Sequence, residues 1–394
     1  MKRIYLDYAA TTYVDEEVFE TAKPYFSDVF GNASSQHTYG QDGAKAVERA
    51  RMIIAAEIGA KPSEIYFTSG GTESDNYAIK GLANARKAKG NHVITTVIEH
   101  PAVLNSCKWL EKQGFEVTYL PVDGEGTVDI EALKAAIRPD TILISVMTAN
   151  NEIGTIQPIK EIGAIAKQHG IPFHTDAVQA FTTVKIDVGE CNIDLMSMSA
   201  HKIYGMKGIG ALYVRNGLKV DKFVSGGEQE RNLRAGTHNT PAIVAFGKAV
   251  EIAARDRDKN VAYISSLRDY MKDEIEKKVP EVRFNGSFTN RLPNNLSISF
   301  KYVEGEAILL RLDLDGIAAS SGSACSSGSL LPSHVLLSIG VPIEESHGTI
   351  RFTLGKATTK EDVDYTVEKL AKIIEELRIM SPLFMQVKGD IKNV

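Results

Sequence analysis

Cysteine is scarce in this 394-residue chain: Cys107, Cys191 and Cys325 stand far apart, form no Cys-x-x-Cys pair and leave an odd one. Neither a disulfide framework nor a zinc knuckle is expected from such a set, no bound metal is implied, and a reducing, cytoplasmic setting fits it best. Long apolar runs are missing as well, so no segment is expected to cross a bilayer. The start, Met1-Lys2-Arg3-Ile4-Tyr5-Leu6-Asp7, is broken by an aspartate before it could serve as a secretory hydrophobic region. A basic excess is absent too: 45 Lys and Arg face 50 Asp and Glu, for a net charge of -5. That argues against a nucleic-acid surface and in favour of small molecules and proteins as partners. The chain also lacks Gly-x-Gly-x-x-Gly, the glycine fingerprint of nicotinamide-binding folds. Internal repeats and low-complexity segments are not found.

What is present is an ordinary globular composition, 43% hydrophobic and 24% charged, with enough length for one large domain and a smaller one. From about residue 60 to 215, β-branched runs alternate with amphipathic stretches, the pattern of strands joined by crossover helices in a mainly parallel sheet. The strands are expected at Ile65 to Thr68, His92 to Val97, Val117 to Leu120, Ile142 to Met147, Pro172 to Asp176, Leu195 to Ser199 and Gly210 to Val214. Helical spacing marks Thr72 to Ala88, Ala102 to Gln113, Ile130 to Ile137 and Ile159 to His169. A long helix over Pro241 to Lys278 then leads to a second alternation: strands at Asn294 to Phe300 and Thr349 to Leu354, helices at Gly305 to Asp313 and Thr359 to Leu377. The fold class is therefore α/β, with a large domain over 15–255 and a small α/β domain formed by 1–14 and 256–394.

In open α/β sheets ligands sit beyond the carboxyl ends of the strands, so the residues that follow each strand carry the information. After Ile65 to Thr68 comes Ser69-Gly70-Gly71-Thr72, either an anion cradle at a helix start or a plain helix cap. Asp176 ends a strand, where a carboxylate needs a cationic partner such as a protonated pyridine nitrogen or else serves as an N-cap. Lys202 follows the next strand in Ser199-Ala200-His201-Lys202. A desolvated lysine there can form a Schiff base, whereas a surface lysine is the bland alternative. His100, before Pro101, and the turn Asn150-Asn151-Glu152-Ile153-Gly154 also follow strands.

Together these residues resemble the large aminotransferase-like family of pyridoxal enzymes, fold type I, with a mainly parallel seven-stranded sheet. The resemblance implies pyridoxal 5'-phosphate bound to Lys202, with Asp176 on the pyridine nitrogen and Gln179 on the phenolic oxygen. It also implies phosphate among Gly71, Thr72, Ser199 and His201, His100 flat on the ring with a share in proton transfer, and Asn151 beside cofactor and substrate carboxylate.

Transaminases need no cysteine, yet Ser320-Ser321-Gly322-Ser323-Ala324-Cys325-Ser326-Ser327-Gly328-Ser329 puts one in a small, polar run from which its sulfur can reach out. With Leu6-Asp7-Tyr8-Ala9-Ala10-Thr11-Thr12, Thr72-Glu73-Ser74-Asp75-Asn76, His201-Lys202-Ile203-Tyr204-Gly205 and Ile350-Arg351-Phe352, this run resembles the NifS/IscS family of cysteine desulfurases, in its long-loop branch. The family implies L-cysteine as substrate, Lys202 moving its α-proton, Cys325 as the thiolate that takes its sulfur as a persulfide, and Arg351 on its carboxylate. It further implies a homodimer in which Thr237 reaches the neighbouring subunit's phosphate, and an iron-sulfur scaffold protein of the IscU/NifU kind, or another sulfur acceptor, as partner. Ala33, Met206, Glu228 and Ala235 depart from the family's usual proline, proline, glycine and serine. An aminotransferase or lyase on the same cofactor, and a sulfur-relay protein without catalysis, are the competing readings; Cys325 and Lys202 respectively separate them.

Overall fold

In the computed structural model, which describes residues 3–322, 332–382 and 384–385, seven strands form the central sheet. They are β1 (Ile65–Thr68), β2 (His92–Thr96), β3 (Glu116–Leu120), β4 (Thr141–Ser145), β5 (Phe173–Asp176), β6 (Leu195–Ser199) and β7 (Gly210–Val214). Their order across the sheet is β1-β7-β6-β5-β4-β2-β3, and only β7 runs against its neighbours. All five residues of β2, β4, β6 and β7 are buried, as expected of strands covered by helices on both faces. Because the strands other than β7 point the same way, the turns after β1, β2, β4, β5 and β6 open on one edge of the sheet.

The helices that cover the sheet and matter for that edge are α1 (Thr38–Glu57), α2 (Gly71–Asn76), α3 (Pro101–Lys112) and α4 (Ile159–Gln168). The segment expected as one helix over Thr72 to Ala88 is interrupted: α2 passes into a π turn at Tyr77–Gly81 and resumes as Leu82–Arg86. Such a turn inserts a residue without ending the helix, which apolar spacing does not register.

Helix α5 (Thr240–Lys278) is 39 residues long and serves two cores. Ala242, Ile243, Phe246 and Val250 belong to the core of the large sheet. Leu267, Met271 and Ile275 pack instead with Leu296, Ile298, Ile350 and Phe352. Those last residues come from an antiparallel three-stranded sheet of β8 (Val282–Asn285), β9 (Asn295–Phe300) and β10 (Thr349–Thr353), with β9 in the middle. Helices α6 (Gly305–Leu314) and α7 (Lys360–Met380) cover it. The N-terminal strand Ile4–Tyr5 pairs with Ile317–Ala318, so Ile4 and Leu6 enter this second core. Among the described residues no helix is long and apolar enough to cross a membrane.

Candidate active site

The strand-end residues converge on one cavity of about 400 Å³. Its walls include Gly71, Thr72, His100, Asn151, Asp176, Gln179, Ser199, His201, Lys202 and Arg351, ten positions singled out from sequence. Thr237 is exposed and does not line it. Cys325 lies outside the described residues.

At one end is the glycine turn after β1. Gly70 has φ 152°, a conformation open to glycine, and serves as N-cap of α2 without any side-chain hydrogen bond, so neither Ser69 nor Thr72 caps this helix. A Cβ on Gly71 would lie 2.6 Å from Val178 Cγ2, so glycine is what lets the helix start approach the turn after β5. Ser199 lies at the carboxyl end of β6, and its Oγ is buried without a hydrogen-bond partner among the described residues. An uncapped helix start and an orphaned hydroxyl form a set of donors suited to an anion. His201 stands beside them; burial, with Lys202 and Lys207 nearby, pushes its pKa down to about 4, so it is neutral. Its Nδ1 lies 3.1 Å from Thr11 Oγ1.

The turn after β5 holds Asp176, whose Oδ1 accepts from the Val178 amide at 2.9 Å. It caps a turn there, and no helix follows at Ala177. Burial raises its pKa, while His100, that amide and Lys202 oppose the rise. His100 serves two purposes. Its Nδ1 accepts from Ala102 N at 3.1 Å, capping α3, which Pro101 begins. A neutral ring that accepts at Nδ1 carries its proton on Nε2. Burial lowers the pKa of His100, partly offset by Asp176 and reinforced by Lys202 and His334.

Lys202, in a 3-10 turn after β6, donates from Nζ to the carbonyls of Ala9 and Ala10, the latter at 2.8 Å. Gln179 Nε2 donates to the same Ala9 carbonyl at 2.9 Å. The N-terminal run thus forms a floor under the lysine. Asn150 builds the turn after β4: its Oδ1 accepts from the amides of Glu152 and Ile153 and its Nδ2 donates to Ile98 O. Asn151 is left facing the cavity, and its carbonyl accepts from Arg351 Nη1 at 2.9 Å. Arg351, buried on β10, also pairs with Asp7 at 2.8 Å, and its Nε has no partner in the structure as described.

Several wall residues were not anticipated as site residues. Glu152, which accepts from Ser333, and His334, whose Nε2 lies 3.1 Å from Glu99 O, bring the segment at 333–334 to the cavity. Asp75 in α2 is almost completely buried and also faces it. A carboxylate oxygen of Asp75, one of Asp176 and a ring nitrogen of His100 lie within 4.8 Å of one another.

Residues 4–366 match the model of the Aminotransferase class-V family. The chain is 57% identical to the cysteine desulfurase IscS of Dictyoglomus turgidum over 394 residues, which is all of both chains. It belongs to the NifS/IscS family of cysteine desulfurases. Solved structures agree. A NifS-like protein superposes with a TM-score of 0.89 at 36% identity, covering 95% of this chain and all of that one. SspA in complex with cysteine does so with a TM-score of 0.81 at 41% identity, covering 91% of this chain and all of its own. The family fold and the seven-stranded, mostly parallel sheet expected from sequence are both present.

Proposed function

We propose that the chain is a cysteine desulfurase that uses pyridoxal 5'-phosphate to convert L-cysteine to L-alanine and leaves the sulfur as a persulfide on Cys325. The observation that supports this reading most is the meeting of Lys202, Asp176, His100, Ser199 and Arg351 in one cavity at the strand ends. The residues present suit the cofactor. The uncapped start of α2, Thr72, the orphaned Ser199 hydroxyl and neutral His201 would take its phosphate. Asp176 would take the ring nitrogen, and Lys202 would hold the cofactor covalently. Bound there, it supplies an electron sink for charge that develops at the α-carbon of an amino acid.

Every other task falls to side chains. Arg351 binds the substrate carboxylate by its guanidinium, a geometry suited to a two-pronged pair. The Lys202 amine takes and returns the α-proton. His100, with its proton on Nε2, serves as a donor. The Cys325 thiolate attacks the substrate sulfur; the S–S bond forms as the carbon–sulfur bond breaks, and the carbon skeleton gains protons to leave as alanine. No external oxidant or reductant is needed. The persulfide then passes to an acceptor such as an iron-sulfur scaffold protein. We read the two hydrophobic cores as domains of residues 15–255 and of 1–14 with 256–394. A homodimer is supported by the exposure of Thr237 outside its own chain's cavity, and by the uncovered aromatic side chains of Phe26, Phe30 and Tyr39.

The test is the visible absorbance of the purified protein before and after addition of cysteine, with alanine quantified. A band that borohydride bleaches, and alanine formation that requires it, are expected, and both should be lost in Lys202→Ala. A protein that takes up no pyridoxal phosphate contradicts the proposal.

A further inference from the structure

Asp75 has no part in the chemistry above, yet it is a carboxyl group 1% exposed, on the cavity wall, with Oδ1 lacking a hydrogen-bond partner among the described residues. Asp176 is its neighbour, and one carboxylate oxygen from each lies within 4.8 Å of the other. Two carboxyl groups so placed away from water do not both ionise, because each anion raises the energy of the other. Which one keeps the proton is set by their surroundings, and those are unequal.

Asp176 receives a backbone N–H from Val178 at 2.9 Å and faces His100 and Lys202. His100 lies within reach of both carboxyl groups, so what distinguishes Asp176 is the Val178 amide and Lys202. The ring of His174 also faces Asp75, with Nε2 3.7 Å from Oδ1. That ring is tied to Ser145 Oγ at 2.8 Å and to Ser197 Oγ at 3.0 Å, and burial pushes its pKa down to about 3, so it is neutral. The remaining groups around Asp75 are the Ser197 hydroxyl and the buried Glu99, whose negative form would only add repulsion. Glu99 is itself pushed up to about 8 by burial, against the hydrogen bonds it accepts from Met147 N and Thr96 Oγ1.

Resting on the cofactor reading above, we propose that Asp75 is a positioning residue: it holds the proton of the buried carboxyl pair, and so leaves Asp176 as the anion that meets the cofactor's ring nitrogen. As a neutral acid it is also a hydrogen-bond donor, and its proton fixes the polar layer it adjoins. The layer runs through Ser197 on β6, His174 on β5 and Ser145 on β4. Burial and the Asp176 charge raise the pKa of Asp75 against a hydrogen bond from Ser197, in the direction this assignment needs.

The test compares wild type with Asp75→Asn, Asp75→Ala and Asp176→Asn, each stripped of cofactor and titrated with pyridoxal phosphate. The readouts are the dissociation constant and the pH midpoint of the visible band. Asparagine copies the shape and donor of a neutral aspartic acid, so Asp75→Asn is expected to stay within about twofold of wild type in affinity, with its midpoint unmoved. Asp75→Ala removes the donor and should weaken binding about tenfold and shift the midpoint. Asp75→Leu makes the same loss with volume kept, should the alanine variant not fold. Equal damage from Asp75→Asn and Asp176→Asn would overturn the proposal, since Asp75 would then be an anion. Wild-type affinity and midpoint in Asp75→Ala would overturn it as well. A wild type that takes up no pyridoxal phosphate fails differently: it removes the functional reading itself, whatever the variants do.

Discussion

Removing Arg51 from its pairing with Glu230 should destabilise the protein by about 3–5 kcal/mol, the usual penalty for leaving one partner of a buried ion pair alone. The two side chains are 3% and 2% exposed. Arg51 Nη1 and Nη2 each donate to a different Glu230 oxygen at 2.8 Å. Glu230 also accepts from Phe67 N at 2.8 Å and lies 2.7 Å from His238 Nε2. This one carboxylate ties α1, β1 and the segment leading to Thr237 together. It also begins three successive residues of left-handed backbone, Glu230, Arg231 and Asn232, with φ of 48°, 52° and 67°. That conformation costs on the order of 1–2 kcal/mol per residue and persists only where the surroundings enforce it.

A second route gives a similar size. Burial would raise the pKa of Glu230, but hydrogen bonds from Arg51 and His238, the Arg51 charge and the Phe67 amide hold it down to about 2, against an ordinary 4.5. The difference corresponds to about 3 kcal/mol. The folded-state pKa is depressed, so this stability is present in full above pH 4.5 and lost as pH falls through about 2. The assay is urea unfolding of wild type, Arg51→Met and the double variant Arg51→Met with Glu230→Leu at neutral and acid pH. The single variant should lose several kcal/mol at neutral pH and show a flatter acid dependence. The double variant should regain part of the loss, since no charge is left buried. A single variant within about 1 kcal/mol of wild type, or a double variant no better than the single, would refute the reasoning.

His100 is held below the ordinary histidine value by burial, so its neutral form persists into mild acid. The acid limb of kcat/KM should therefore fall below about 6.5, and a limb at or above that value would count against a neutral His100. Arg351→Lys keeps the charge but not the fork that meets a carboxylate, so KM for cysteine should rise about tenfold or more while the cofactor band stays in place. An unchanged KM would remove Arg351 from substrate binding.

The central sheet was legible because β4 and β6 are continuous apolar or small runs that only a doubly covered strand explains, and because Gly114 and Gly170 close the helices before β3 and β5. β8 escaped notice. Val282-Arg283-Phe284-Asn285 is a short edge strand, three of its four residues only partly buried, and its charge hides the alternation. The π turn at Tyr77–Gly81 is a matter of packing that spacing does not encode. In the site, Lys202, Asp176 and Ser199 could be read because each directly follows or ends a recognisable strand. Asp75 could not, since an acid in the first turns of a helix ordinarily faces solvent and favours the dipole. Only the packing of α2 against β6 and β7 turns it inward. His334 and Glu152 meet the cavity through contacts between segments 181 residues apart, which no local pattern announces.

The claim that the sulfur of cysteine is carried off on Cys325 has a direct measurement. The purified protein is given cysteine and no acceptor, then digested, and the mass of the peptide that contains Cys325 is recorded beside the alanine released. A gain of one sulfur atom on Cys325, matched by alanine and lost together with turnover in Cys325→Ser, is the expected result. Alanine and sulfide formed at the wild-type rate by Cys325→Ser, or sulfur found on Cys107 or Cys191 instead, would contradict it.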